Sequence, residues 1–149
     1  MVTAKIETRN SKLANLLPAE SRQVRDFTDL VTWKLARELR KTAYLLARKL
    51  PSREQYVLAS QLSRAALSVT ANIAEGFGRY SFRENVQFCR QARGSAYEVR
   101  DHLTTALDGG FLSQGEWKTL DDLAQRVIQV LNGYIRSTQK LESSSKPKK

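Results

Sequence analysis

His102 and Cys89 are the chain's single histidine and single cysteine, so no cluster of His and Cys ligands of the zinc type forms within one copy. At about 100° per residue, Cys89 joins Phe88, Ala92, Ala96, Val99, Leu103 and Leu107 in an apolar stripe, where a cysteine packs as a small hydrophobe. Glu75 and Glu98 are the carboxylates an acid–base pair would draw on, but nothing in the sequence fixes their separation. The stretch Gly76-Phe77-Gly78-Arg79 invites comparison with a phosphate-cradling loop. A dinucleotide loop needs a preceding strand and a third glycine, and there is no GxxxxGK run either. The stretch reads instead as a corner between helices, with Gly76 as the stop. No catalytic constellation emerges, so the expectation is a non-enzyme with neither cofactor nor metal.

What the chain does carry is positive charge. Lys+Arg number 25 against 15 Asp+Glu, a net charge of +10 and a pI near 10.0, a balance suited to nucleic acid, anionic lipid or an acidic protein surface. Between residues 30 and 50, Lys34, Arg37, Arg40, Lys41, Arg48 and Lys49 face only one carboxylate, Glu38. On a helix, Lys34, Arg37, Lys41 and Arg48 share one face opposite Leu35, Leu39 and Leu46, with Trp33, Arg40 and Tyr44 along a border. Further on, Arg83, Arg90, Arg93 and Arg100 share a face with Tyr97. Arginine interleaved with exposed aromatics suits phosphate contact and base stacking. The alternative is a solvated face that keeps the protein soluble, and composition leaves both open.

These residues need helices to position them. Prolines occur only at 18, 51 and 147, and alternating runs of β-branched and aromatic residues are missing, so the chain reads as all-α. After a polar leader (residues 1 to 25), Asp26 is placed to cap a first helix, in which Leu35, Leu39, Ala43, Leu46 and Leu50 recur until Pro51. Ser52 with Gln55, Ser81 with Glu84 and Ser113 with Glu116 fit capping boxes at three further starts. Gly76 and Gly109 sit where the second and third helices should end. The fourth repeats Trp117, Leu120, Ala124, Val127, Leu131, Tyr134, Thr138 and Leu141, a 3-4 spacing that makes a seam for antiparallel neighbours. The expectation is an up-down-up-down antiparallel four-helix bundle over residues 26–141, followed by a disordered basic tail, 142–149. No apolar run suits a membrane span and no signal peptide is evident, so a cytoplasmic location is expected.

The second helix carries an extra flank of Tyr56, Ser60, Ser63, Leu67, Ala71 and Ala74 beside its main stripe of Leu58, Leu62, Ala65, Val69 and Ile73. A helix apolar or small on nearly all sides calls for cover on nearly all sides. Contact with another subunit through Tyr56, Ser63, Leu67, Ala71 and Ala74 is one reading; a tolerated small-residue surface is the other. Asn72, near the core border, then needs a hydrogen-bond partner.

The run "LPSREQYVLASQLSRAALSVTANIAEGFGR", followed by "RENVQFCRQARGSAYEVRDHL", resembles the bacterial four-helix-bundle family encoded in intervening sequences of 23S ribosomal RNA genes. The residues that carry the resemblance are Pro51, Glu54 and Tyr56; Gln61, Arg64, Ala65 and Ser68; Asn72 to Gly76; and Ala92, Gly94, Ser95 and Glu98. It covers about residues 26 to 141, leaving leader and tail outside. The resemblance implies a ring-like homo-oligomer, a pentamer, without enzymatic activity. The fold is similar to the accessory variability determinant of diversity-generating retroelements, which binds nucleic acid and partners a reverse transcriptase copying template RNA. It also makes Arg64 a candidate partner for Glu98. The resulting expectation is a nucleic-acid-binding scaffold (RNA, DNA or both) whose phosphate contacts are Lys34, Arg37, Arg40, Lys41 and Arg48, with Arg90, Arg93 and Arg100. The rival is an interaction module that docks an acidic protein partner.

Overall fold

The computed structural model describes residues 24–79 and 81–145. Every regular element among them is helical. A 3-10 turn (Phe27–Asp29) leads into α1 (Val31–Lys49), and a second (Ser52–Glu54) precedes α2 (Leu58–Gly78). α3 (Phe82–Asp108) and α4 (Gln114–Ser145) follow across short connections. Each helix packs against the next, and α1 closes against α4. The registers run opposite ways: Ser68 of α2 meets Ser95 of α3, while Gly76, further along α2, meets Asn85 and Phe88 near the start of α3. The architecture is therefore the expected up-down-up-down four-helix bundle.

The periodic positions converge on one core. Leu39, Leu62, Val69, Ile73, Val99, Leu103, Val127 and Leu131 are all essentially inaccessible, each worth about 1.5–3 kcal/mol of transfer free energy. Cys89 is wholly buried, as its stripe implies. Asn85 is a polar member of this core; its amide donates to the Tyr134 hydroxyl at 3.0 Å, and its Oδ1 accepts from the Cys89 thiol at 3.4 Å. The α4 seam keeps its order, buried from Ala124 to Thr138 and half-buried at Trp117, Leu120 and Leu141.

Several helix ends differ from the sequence reading. Asp26 opens the 3-10 turn rather than α1, whose N-cap is Leu30. The Asp29 carboxylate accepts from the amides of Arg25 and Asp26 (2.9 and 3.1 Å), which holds its pKa below the ordinary value. Ser52 and Gln55 form no capping box. Gln55 reaches backward, its amide donating to the carbonyls of Ala47 and Leu50 at 3.0 and 2.6 Å, so it terminates α1 instead of starting α2. At Ser81 half the box forms: its hydroxyl accepts from the Glu84 amide at 3.4 Å. At Ser113 the box is complete, with bonds of 2.8 and 3.1 Å, and the backbone amide of Ser113 lowers the Glu116 pKa.

Gly76 is not a stop. The helix runs two residues past it, and a Cβ at Gly76 would lie 2.9 Å from the Phe88 Cβ and from Asn85 Oδ1. Glycine is there because α2 and α3 approach too closely for a side chain. The left-handed residue after α3 is Gly110 (φ 73°), one beyond the expected Gly109. α4 extends to Ser145, so the first four tail residues are helical, with the hydroxyls of Ser143, Ser144 and Ser145 bonded back to carbonyls of the preceding turn. The leader up to residue 23 and the tail from 146 lie outside the described residues.

Candidate nucleic-acid interface

α1 buries Ala36, Leu39, Ala43 and Leu46 between α2 and α4, leaving Lys34, Arg37, Lys41 and Arg48 exposed on the opposite side. Trp33, edge-on to Phe27 with ring centres 5.2 Å apart, carries the Arg37 guanidinium 5.8 Å above its own ring. That stacking fixes one cation while leaving its outer face open to a phosphate. Lys41 lies 3.3 Å from Glu38, an exposed pair that contributes little and yields readily to a competing anion. Lys34, Arg37 and Arg48 make no ion pair among the described residues. Arg40 is different: half-buried, it donates to the Thr70 hydroxyl at 2.8 Å and ties α1 to α2. Tyr44 and Arg48 line a small groove of about 200 Å³ with Gln55, Ser60 and Ser63 of the α2 side.

On α3 the arginines divide. Arg90 is exposed, whereas Arg93 donates to Asn132 Oδ1 at 2.7 Å. Arg100 forks onto Asp121, Nε to Oδ1 at 2.7 Å and Nη2 to Oδ2 at 3.2 Å, and lies 5.7 Å from the Tyr97 ring centre. Gln125 adds a bond to Asp121 at 2.7 Å. Burial alone would raise the Asp121 pKa, but the Arg100 and Gln125 bonds outweigh it and hold the carboxyl below its ordinary value. The Asp121 bond in turn raises Arg100. A helical wheel gives the direction of these arginines but not what α4 sets in front of them. Sequence reasoning misses Asp121; its signal is that, of the Asp121-Asp122 pair, it is the one bordering the Trp117–Leu120–Ala124 seam.

The extra flank of α2 is open. Tyr56, in the turn before the helix, is 94% exposed, and Leu67 is 47% exposed. Ala71 is exposed too, with Ser63 and Ala74 half-buried. Asn72 finds the partner it needs: its amide donates to the Ser68 carbonyl and hydroxyl at 2.9 and 3.0 Å, and Ser68 meets the Ser95 hydroxyl at 2.9 Å. Glu98 does not meet Arg64. It lies 3.4 Å from His102 Nε2, one turn on. Among the described residues no group of His, Cys, Asp or Glu is arranged to hold a metal, and no helix is long and apolar enough to cross a membrane.

The site is thus an exposed cation face on α1 bordered by an uncovered flank of α2, while Arg90 stands exposed on α3, the helix diagonal to α1. A crystal structure from Bacteroides thetaiotaomicron VPI-5482, of a protein with unknown function from the S23 ribosomal protein family, is similar in fold: TM-score 0.67 at 18% identity, over 71% of this chain and 96% of that one. No curated protein matches the chain. Residues 28–133 match the family model for the 23S rRNA-intervening sequence protein. That span runs from the first 3-10 turn well into α4 and takes in most of the four-helix core, so the chain belongs to the 23S rRNA-intervening sequence protein family.

Proposed function

We propose that the chain is a non-enzymatic, homo-oligomeric scaffold that binds nucleic acid through phosphate contacts. The observation that carries this is the outer face of α1, where Lys34, Arg37 and Arg48 stand exposed and free of ion pairs among the described residues. Cations so placed neutralise phosphates and release counterions, with little means of reading bases. Repeating that modest surface in a ring, five copies by the family resemblance, would raise affinity by avidity. The uncovered flank of α2 is the surface we assign to assembly. The partner we assign is the reverse transcriptase of a diversity-generating retroelement, met while it copies template RNA, by likeness to the accessory variability determinant.

Filter binding of duplex and single-stranded oligonucleotides across a salt series tests this. Affinity should fall steeply with salt, and the triple variant Lys34→Gln, Arg37→Gln, Arg48→Gln should flatten the duplex slope by about 2–3, close to 0.9 for each phosphate no longer neutralised. Salt-independent binding, or none at low salt, overturns the reading. A reverse transcriptase that stays bound after nuclease treatment supports direct partnership. Capture of an acidic protein by a chain that binds no nucleic acid would favour the protein-docking rival.

A further inference from the structure

Because neighbouring helices are antiparallel, α3 begins where α4 ends. There Arg83, Val86, Gln87 and Arg90 of α3 and Gln139 and Glu142 of α4 line an open cavity of about 370 Å³. Arg83 and Arg90 are seven residues apart, two turns and about 10 Å along one helix face, with Gln87 between them. Neither guanidinium has an ion pair, hydrogen bond or ring contact among the described residues. Arg93 and Arg100, further along the same helix, are held by Asn132 and Asp121. The pair at this end is the part of the α3 arginine series left for an outside ligand.

The wider field agrees. On α3, Arg83, Arg90 and Arg93 with one carboxylate, Glu84, precede Glu98, Asp101 and Asp108 with one arginine, Arg100. On α4, Glu116, Asp121 and Asp122 with Lys118 and Arg126 precede Arg136 and Lys140 with Glu142, so that the excess is positive at the same end of both. Antiparallel packing brings the two basic halves together around the cavity, and local potential of one sign concentrates the opposite charge. Glu142 is the one carboxylate in its wall, and it has an interaction of its own.

We propose that this cavity holds one phosphodiester group of the bound strand, with Arg83 and Arg90 as its charged ligands and the Gln87 and Gln139 amides donating to the remaining oxygens. This rests on the nucleic-acid function proposed for the α1 face. Guanidinium forks match phosphate geometry, and because the cavity is open to solvent a strand has room to continue on either side of the phosphate.

The test is fluorescence anisotropy of a labelled single-stranded oligonucleotide across a salt series, comparing the wild-type chain with Arg83→Gln/Arg90→Gln and with Lys118→Gln/Arg126→Gln. The second variant removes the same charge from exposed sites nearer the other end. The first should flatten the slope by about 0.7, the value for one neutralised phosphate of a single strand, and the second by less than half of that. Equal slopes for the two variants, or an unchanged slope for the first, overturn the subsite while leaving the α1 interface standing. Inorganic phosphate at matched ionic strength should weaken oligonucleotide binding to the wild-type chain and not to Arg83→Gln/Arg90→Gln; the same loss in both would place the competition elsewhere and overturn the subsite. Absence of wild-type binding overturns both the subsite and the function beneath it.

Discussion

Arg100 is diverted from the surface by a single carboxylate. Asp121 is nearly inaccessible, its side chain 5% exposed, so taking away the guanidinium would strand a buried charge. Arg100→Gln should cost about 2–3 kcal/mol at neutral pH, read as a lower urea midpoint. The pH dependence follows from the lowered Asp121 pKa: its contribution is complete above the unfolded carboxyl value of about 4 and disappears as pH falls through the lower folded value. The gap between wild type and variant should therefore be widest at pH 7 and narrow only in acid below about 4. Equal midpoints at pH 7 would show the fork to be idle. The same bond explains why a wheel groups Arg100 with Arg90 and the fold separates them. Both share a helical face, yet the next helix sets a carboxylate before one and leaves the other to solvent.

At the level of elements, Gly76 fixes how near α2 and α3 can come. Gly76→Ala forces its Cβ against the Phe88 Cβ and the Asn85 backbone oxygen, close to main chain that cannot easily yield. A loss of about 1–3 kcal/mol is expected, seen as a lower Tm; an unchanged Tm would mean the helices slide apart freely. The four helices and their buried faces are legible in the sequence because apolar residues at a 3.6 period leave few other solutions. Ends are harder, since one residue type serves opposite purposes. Glycine marks both a helix stop and a close approach, and Gly76 is the latter. Glutamine three residues after a serine suggests a start, but the Gln55 amide satisfies carbonyls behind it. Local spacing gives the bonding groups without the direction in which they are used. The candidate interface is legible to a similar degree: the α1 cations stand where the wheel puts them, whereas Arg40, Arg93 and Arg100 have partners on neighbouring helices that only the tertiary register supplies.

For the molecule as a whole, the exposed flank of α2 governs the proposed assembly. Leu67→Glu combined with Ala71→Glu should convert an oligomer to monomers in multi-angle light scattering without lowering helix content, since both positions are exposed. An oligomer of unchanged mass would move the interface elsewhere. Avidity ties assembly to binding, so the monomeric variant should hold oligonucleotide more weakly at every salt concentration while keeping a similar slope per chain.

The opposed charge halves of α3 and α4 give that helix pair an axial electric polarity. A perpendicular dyad cancels such vectors, whereas a rotation axis parallel to the helices adds them. Copies arranged the second way would form a disc with one side more attractive to polyanion, and the α1 cations, reaching to Arg48 and Lys49, would line its rim from end to end. A strand would then engage that side and the rim, leaving the reverse accessible to a protein companion.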